Sequence, residues 1–270
     1  MFVAEVKEQE ARHGPAWWFA FVGERLLVRE DGEEVSVPLL GSAAELGLPV
    51  TAVHYLGRLD GTACYAVDLA DAAEVPEGMS AQGLRGLYGR LDEELFAVAG
   101  RAAQIVTWER THRFCGRCGT PTQPVEGERA KRCPQCGHFA YPRLSPCVIM
   151  LVTRGRQLLL ARGRHFPAGF FGVVAGFVEP GESLEEAVAR EVQEEVGVSV
   201  SDITYFGSQP WPYPHQLMIG FTARWAGGEI LVDPEELAEA HWFTAETLPS
   251  LPPPMSIARR LVDAFVTGRQ

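Results

Sequence analysis

The chain lacks any apolar run long enough for a transmembrane helix. A membrane-spanning helix needs about 20 consecutive apolar residues, and no stretch of the 270 residues approaches that length. The first residues, MFVAEVKEQEARHG, carry acidic side chains where a secretory signal peptide has a basic start and an apolar segment. We therefore expect a cytoplasmic protein with no part in a membrane.

Positive charge is also scarce. Lys and Arg number 24 against 35 Asp and Glu, which gives a net charge of -11. This balance excludes a general electrostatic attraction to nucleic acid or anionic lipid and leaves only a local basic patch. Because 46% of the residues are hydrophobic and 10% are aromatic, the chain has enough apolar material for packed cores.

Cysteine is infrequent, but its spacing is informative. Four of the six cysteines form two pairs, each separated by two residues, with 14 residues between the pairs: Cys115, Cys118, Cys133 and Cys136. This spacing is typical of a zinc ribbon, and Gly119 and Gly137 allow the turn that follows each pair. Four thiolates leave no position for water, so the zinc is predicted to be structural. Cys64 and Cys147 are interpreted as core residues, and His138 as a surface residue.

The cysteine pairs divide the chain into three predicted domains. Residues 1–110 contain short apolar runs broken by Gly, Pro and Asp, which predict a small β-rich domain, followed by a connecting helix at 91–112. Trp17 and Trp18 are interpreted as core residues. Residues 111–141 form the zinc ribbon. Residues 142–270 contain a predicted hairpin around Gly155, strands within FFGVVAGF and HQLMIGFTARW, a helix that begins near Ser183, a proline-rich loop and a last helix.

The helix after Ser183 has unusually many carboxylates. Ser183 and Glu186 form a capping-box pattern that starts the helix at about Leu184, and Gly197 ends it. Three glutamates at i, i+3 and i+4 project from one face, namely Glu191, Glu194 and Glu195. A hard divalent cation would compensate their repulsion. Arg190 lies four residues from both Glu186 and Glu194, and is expected to stabilise this face.

The same segment resembles the signature of a known family. The pattern G-x5-E-x7-R-E-U-x-E-E-x-G-U, where U is aliphatic, is the Nudix box, and it is matched by Gly176, Glu182, Arg190, Glu191, Val192, Glu194, Glu195, Gly197 and Val198. The resemblance implies a mixed α/β fold with an α/β/α sandwich, Mg²⁺ or Mn²⁺, and hydrolysis of a nucleoside diphosphate linked to another group. It implies that Glu191 and Glu195 bind the metal, and that Glu194 binds metal or orients water.

A second motif narrows the expected substrate. The stretch SQPWPYPHQ, residues 208–216, resembles the S-Q-P-W-P-F-P-x-S motif of NADH pyrophosphatases, with Tyr213 in place of Phe and Gln216 in place of the last Ser. The zinc pairs and the β-rich N-terminal domain also fit that family. The resemblance implies a homodimer that hydrolyses NADH or NAD⁺ to NMN(H) and AMP, and that removes NAD caps from RNA 5′ ends.

The resemblance also assigns individual positions. Predicted substrate contacts are Arg85, Glu128, Tyr141, Phe177, Gln209, Pro210, Trp211, Pro212, Tyr213, Pro214, His215, Gln216 and Ala258. Further metal contacts are the carbonyl of Ala175 and the carboxylate of Glu236. The replacement at Gln216 puts one polar substrate contact in question.

Two alternatives stay open. A Nudix hydrolase of another preference, such as ADP-ribose, would keep the glutamates and have no need of the motif around Trp211. From a different class, a zinc-ribbon regulator would bind a nucleotide or nucleic acid without cleaving it. The intact glutamate set argues against this second alternative, because a non-catalytic site has no use for so much clustered charge.

Overall fold

The computed structural model describes residues 1–8, 14–32, 34–71 and 73–268. The chain divides into two compact units. The first comprises Met1–Arg143 with Pro212–Pro214, and the second comprises Leu144–Trp211 with His215–Gln270. Among the described residues, no helix is long and apolar enough to cross a membrane.

The first unit is rich in strands, as predicted. Its elements are β1 (Phe2–Ala4), β2 (Ala16–Val22), β3 (Arg25–Asp31), β4 (Glu34–Ser36), β5 (Leu39–Leu40), β6 (Val50–Leu59), β7 (Thr62–Leu69), β8 (Met79–Gly83), α1 (Leu84–Leu87) and α2 (Glu93–Thr111). The main sheet has the order β1-β6-β7-β2-β3-β4, in which β2 and β7 are parallel and the other neighbours antiparallel. Strand β5 pairs with β2, and β8 pairs with β3.

Helix α2 is the predicted connecting helix. The Asp92 carboxylate accepts hydrogen bonds from the backbone N–H groups of Glu94 and Leu95, which fixes the start of the helix. Its apolar stripe packs with Phe19 and Phe21 of β2 in one core. The opposite face of the sheet forms a second core around Trp18. The expectation that the tryptophans serve packing is confirmed for Trp18, which is only 5% exposed.

The zinc-ribbon segment forms a three-stranded sheet of very short strands. These are β9 (Gln123–Pro124), β10 (Lys131–Arg132) and β11 (Phe139–Ala140), in the order β11-β10-β9. Both pairings are antiparallel. Because so few backbone pairs form, the sheet contributes little stability by itself. The folded state of this segment therefore depends on its metal site and on packing against its own unit.

The second unit has a mixed sheet with one helix on each face. Its elements are β12 (Ser145–Arg154), β13 (Gln157–Gly163), β14 (Val174–Phe177), α3 (Leu184–Val196), β15 (Ser199–Trp211), β16 (Gln216–Gly227), β17 (Leu237–Phe243) and α4 (Ile257–Val266). The strand order is β15-β16-β12-β13-β17, and β14 also pairs with β12. Strands β12 and β16 are parallel, while the predicted hairpin around Gly155 joins β12 to β13.

Alternation along β12 explains the sandwich. Val148 and Met150 point to the core under α3, whereas Ile149 and Leu151 point to the core under α4. Both faces are therefore apolar, which is why this strand reads as one continuous hydrophobic run. The predicted α/β/α sandwich is confirmed. The first part of the motif at 208–216 lies in strand β15, which was not among the strands predicted from the sequence.

Candidate active site

Helix α3 begins and ends where the sequence predicts. The Ser183 Oγ accepts from the Glu186 backbone N–H at 3.3 Å, and the Glu186 carboxylate accepts from the Ser183 backbone N–H at 2.8 Å. Gly197 ends the helix with a left-handed φ of 72°. Val188 and Val192 are fully buried against the sheet, and each contributes about 1.5–3 kcal/mol of burial free energy. The packing fixes which face carries the glutamates.

Two of the three glutamates are largely buried. Glu191 is 9% exposed and Glu195 is 7% exposed, whereas Glu194 is exposed. Burial, together with the smaller effect of the neighbouring carboxylates of Glu191 and Glu236, raises the pKa of Glu195 to about 8. Burial also raises the pKa of Glu191. Clustered acidic groups whose pKa values rise in this way are characteristic of sites that bind cations or act on protons.

Arg190 organises the exposed edge of this cluster. Its guanidinium donates to Glu182 at 2.7 and 2.9 Å, to Glu191 at 2.9 Å and to Glu194 at 2.9 Å. It also donates to the carbonyl of Phe177 at 2.9 Å, which ties the helix to β14. The expected contact with Glu186 is absent, because the capping box occupies that carboxylate. Arg190 pairs with Glu182 instead of Glu186.

A glycine provides the space for Glu191. A Cβ atom built on Gly176 would lie 1.9 Å from the Glu191 Cδ and 2.1 Å from both carboxylate oxygens. Gly176 lies in β14, directly after Ala175, and pairs with Val148 of β12. The backbone of β14 and the Glu191 carboxylate are therefore in contact, which explains the glycine at the start of the motif.

The donor set fits a hard divalent cation. The residues gathered around Glu195 include Glu191 and Glu236, which offer carboxylate oxygens, and Mg²⁺ and Mn²⁺ prefer oxygen ligands. Glu236 follows a turn at Asp233, and both residues raise the pKa of Glu195 through their negative charges. Asp233 is not among the site residues predicted from the sequence. The only sequence feature that could have indicated Asp233 is its position three residues before Glu236. Its proximity to Glu195 depends on the tertiary fold and cannot be inferred from local spacing.

The four paired cysteines meet as predicted. Their Sγ atoms all lie within 4.8 Å of one another, and three of the S···S distances are 3.5, 3.5 and 3.6 Å. A tetrahedral zinc ion with Zn–S bonds of about 2.3 Å separates its sulfurs by about 3.8 Å. Gly119 and Gly137 both have a φ of 74°. Among the described residues, this is the only group of three or more potential ligands that is so closely gathered.

The remaining cysteines behave as expected. Cys64 and Cys147 are buried and form no disulfide, and His138 is exposed. The geometry of the four-cysteine cluster therefore supports one structural zinc ion in the ribbon.

The second motif forms the end of a β-hairpin. Gln209 pairs with Met218, and Trp211 pairs with Gln216. Trp211 packs against the core under α4. The side-chain amide of Gln209 donates to the Met255 carbonyl at 2.8 Å and accepts from the Ile257 N–H at 2.7 Å. Both polar atoms of this amide are thus engaged in holding the start of α4.

The turn of the hairpin, Pro212–Pro214, belongs to the first unit. There the Arg85 guanidinium lies 4.5 Å from the centre of the Tyr213 ring. Both residues line an open groove of about 1310 Å³. On the other side of the turn, the Ser145 backbone N–H donates to the His215 carbonyl at 2.9 Å. Two predicted substrate contacts, Arg85 and Tyr213, therefore lie together.

The other predicted contacts are distributed over both units. Tyr141 is 59% exposed and Phe177 is 50% exposed, so both rings are accessible for stacking. Glu128 is exposed in the turn before β10, and Ala258 lies partly buried in the first turn of α4. Phe177 is joined to the glutamate cluster through its carbonyl and Arg190.

Comparison with known proteins agrees with this arrangement. Residues 142–265 match the model of the NUDIX domain, residues 15–108 that of the NADH pyrophosphatase-like rudimentary NUDIX domain, and residues 110–141 that of the NADH pyrophosphatase zinc ribbon domain. A NUDIX hydrolase from Nitrosomonas europaea shares the fold, with 22% identity and a TM-score of 0.50 over 58% of this chain and 92% of that one.

Two curated relatives extend the similarity along most of the chain. The NAD-capped RNA hydrolase NudC of Stutzerimonas stutzeri (strain A1501) is 50% identical over 224 residues, which cover 83% of this chain and 81% of that protein. The protein of the same name from Deinococcus radiodurans is 49% identical over 233 residues, covering 83% and 82%. This chain therefore belongs to the NAD-capped RNA hydrolase family of Nudix proteins.

Proposed function

We propose that this enzyme hydrolyses the pyrophosphate of NADH or NAD⁺ to NMN(H) and AMP, and that it also removes NAD caps from RNA 5′ ends. The observation that carries the proposal is the pair of buried carboxylates, Glu191 and Glu195, within a complete Nudix box. The names of the relatives and the NADH pyrophosphatase-like model in residues 15–108 support the choice of substrate.

The clustering of the glutamates supports the metal-binding residues that the family resemblance implies. Glu191 and Glu195, with the Ala175 carbonyl and Glu236, would hold Mg²⁺ or Mn²⁺, and Glu194 is close enough to bind metal or orient water. When bound, the cation offsets the negative charge of the pyrophosphate and lowers the pKa of water. Its charge also lowers the free energy of keeping Glu195 ionised in a buried position.

Arg190 is proposed to position the cluster. Its hydrogen bond fixes the Glu191 carboxylate, while Glu182 fixes the guanidinium from the other side. The same guanidinium binds the Phe177 carbonyl and so links helix α3 to β14. The Glu191 carboxylate occupies the space that a side chain at position 176 would fill.

The hairpin motif is proposed to recognise the dinucleotide. Aromatic rings at Trp211 and Tyr213, with Tyr141 and Phe177, offer flat surfaces for a base or for nicotinamide. We assign Gln209 a supporting role in this recognition, because its amide holds the start of α4, where Ala258 lies. The zinc ribbon stabilises the first unit, and the family resemblance favours a cytoplasmic homodimer.

The experiment that tests the catalytic assignment uses Glu191→Gln, which keeps the size of the side chain and removes its charge. We expect the turnover of NADH to fall by at least about 100-fold, because a metal ligand is lost and the fold is not. Glu185→Gln is the matched control, since Glu185 lies exposed in the first turn of the same helix. Near wild-type turnover by Glu191→Gln would refute the assignment.

A further inference from the structure

Strand pairing brings a serine beside the position at which this chain lacks the last serine of the S-Q-P-W-P-F-P-x-S motif. Gln216 occupies that position. In the parallel pairing of β12 with β16, Ser145 lies directly opposite Gln216. On the other side of β16, Trp211 of β15 lies opposite Gln216. We call Trp211, Gln216 and Ser145 the cross-strand row.

The cross-strand row projects from the face of the sheet that α4 covers. Side chains two residues apart in a strand point to the same face. Cys147 lies two residues after Ser145 and belongs to the core under α4, and Met218 does the same two residues after Gln216. Trp211 packs against that core directly. The Ser145 hydroxyl therefore shares a face of the sheet with the indole of the motif.

The adjoining row on this face contains another predicted substrate contact. Phe177 of β14 lies opposite Cys147, which is about 7 Å along β12 from Ser145. The Phe177 ring is 50% exposed, and Ala258 of α4 packs against the core of the same face. Ser145 was not predicted from the sequence as a site residue, yet it shares this face with Trp211, Phe177 and Ala258.

His215 holds the Ser145 side chain in place. The Ser145 Oγ and the His215 Nδ1 are 3.2 Å apart, and the Ser145 backbone N–H donates to the His215 carbonyl at 2.9 Å. Neither residue is fully buried. If the imidazole nitrogen accepts, the lone pairs of the hydroxyl stay available to a ligand, and if it donates, the hydroxyl proton does. In both cases a fixed polar group remains for binding.

A serine beside a histidine also suggests a nucleophile with its general base. That arrangement needs a third group that orients the histidine. Among the residues that the structure describes, the His215 ring is bonded to Ser145 and to no carboxylate. The hydroxyl is therefore suited to binding a ligand and not to attack on phosphorus.

A hydroxyl at position 145 can reach the same ligand group as a hydroxyl at position 216. Neighbouring strands lie about 4.8 Å apart, so a group above the gap between β12 and β16 is displaced by only about 2.4 Å from either strand. A serine side chain has the same length at both positions, whereas the Gln216 amide reaches further from the backbone. Ser145 thus supplies the short polar group that Gln216 does not.

We propose that Ser145, held by His215, binds the nicotinamide half of NADH in place of the last serine of the motif. The proposal rests on the proposed function, because it adds a residue to the same substrate site. The motif is the part of the second unit that resembles NADH pyrophosphatases in particular, so its polar contact is assigned to the nicotinamide half. The group bound is neutral and polar, namely the carboxamide or a ribose hydroxyl.

The test exchanges the two hydroxyl positions and measures steady-state kinetics with NADH. Ser145→Ala should raise KM by about 3-fold to 10-fold, the effect of one neutral hydrogen bond. The kcat should stay within about twofold of wild type, because bound substrate and transition state share the contact. Gln216→Ser alone should change KM by less than about threefold, since the contact is already made.

The double variant Ser145→Ala/Gln216→Ser is the decisive one. It returns a hydroxyl to the motif position, so KM should fall again to within about twofold of wild type. A purely structural role of Ser145 in β12 would not be restored by a change in β16. The two substitutions should therefore be strongly non-additive.

Matched controls separate the contact from effects on folding. Ser145→Thr keeps the hydroxyl and should keep KM within about twofold of wild type. Ser201→Ala removes an exposed hydroxyl near the other end of β15 and should leave the kinetics unchanged. The unfolding midpoint of each variant is measured, and Ser145→Cys, whose thiol is only a weak donor, replaces Ser145→Ala if that variant fails to fold.

The same variants are assayed with ADP-ribose, which lacks nicotinamide. A loss confined to NADH assigns the carboxamide as the bound group, and equal losses that Gln216→Ser reverses assign a ribose hydroxyl. Unchanged KM in Ser145→Ala, or a rise that Gln216→Ser does not reverse, would overturn the proposal. So would a rise in KM in Gln216→Ala with none in Ser145→Ala, because the amide would then have replaced the hydroxyl.

Failure of this proposal is distinguishable from failure of the proposed function. The first would be seen only in the variants, while the wild type hydrolyses NADH normally. The second would be seen in the wild type itself, which would then not hydrolyse NADH, and it would refute the role of Ser145 as well.

Discussion

Gly176→Ala is the substitution that tests the geometry of the glutamate cluster most sharply. The added Cβ would lie 1.9 Å from the Glu191 Cδ, whereas two carbon atoms in contact stay about 3.5 Å apart. The carboxylate must therefore move by about 1.6 Å. The three atoms nearest to this Cβ all belong to the end of the Glu191 side chain, so a movement of that side chain relieves the closest contacts.

The displacement of the carboxylate should lower activity strongly and change stability only slightly. A misplacement of about 1 Å at a reacting centre can cost about 100-fold in rate, and the movement also breaks the 2.9 Å bond from Arg190 to Glu191. We expect kcat/KM for NADH to fall by at least about 100-fold. The free energy of unfolding should change by less than about 1 kcal/mol, because Ala costs less conformational entropy than Gly and offsets part of the lost hydrogen bond.

The assay combines steady-state kinetics with denaturant unfolding of the same protein preparations. Gly207→Ala is the matched control, since a Cβ at Gly207 would meet nothing within 4 Å, and it should keep wild-type activity. If Gly176→Ala retained activity within about threefold of wild type, less than 1 kcal/mol of transition-state stabilisation would be lost, and the contact would not matter for catalysis.

Three further predictions concern the zinc ribbon, the buried ion pair and substrate choice. Cys133→Ser leaves three thiolates, so zinc content and thermal stability should both fall, and added Mg²⁺ should not restore them; wild-type protein that contains no zinc by elemental analysis would contradict the assignment. Glu109→Gln leaves the buried Lys131 without its counter-charge and should lower the free energy of unfolding by about 2–4 kcal/mol at neutral pH. His54 and Lys131 lower the pKa of Glu109 to about 2 from its usual 4.5, so the ion pair stabilises the folded state fully above pH 4.5. The difference in the free energy of unfolding between wild type and variant should therefore shrink as the pH falls toward 2. A difference that stays constant with pH would argue against the pair. Trp211→Ala should reduce kcat/KM for NADH more than for ADP-ribose, and equal losses would make the motif a structural element only.

The parts of the site that the sequence predicts are those set by local spacing. The capping box at Ser183 and Glu186 fixes the start of α3, and the i, i+4 relation places Glu191 and Glu195 on one side without knowledge of the tertiary fold. The cysteine spacing predicts the ribbon for the same reason. Such patterns depend on a few neighbouring residues, so the fold does not have to be known to interpret them.

The parts that sequence reasoning missed depend on tertiary contacts. Strand β15 contains Pro210, and also Asp202, whose φ is 51°, so it does not look like a strand. It is nevertheless an edge strand with several register shifts, where a proline is tolerated. The partner of Arg190 is Glu182 and not Glu186, since the capping box had already engaged Glu186. The proximity of Asp233 to Glu195 likewise follows from the packing of the second unit.

The measurement that tests the central claim most directly is the identification of the products that purified wild-type protein forms from NADH with Mg²⁺ or Mn²⁺. Hydrolysis of the pyrophosphate by the residues of α3 gives AMP and NMNH in equal amounts, and Glu195→Gln should form neither above about 1% of the wild-type rate. Release of dihydronicotinamide with ADP-ribose, or equal product formation by wild type and Glu195→Gln, would contradict the account.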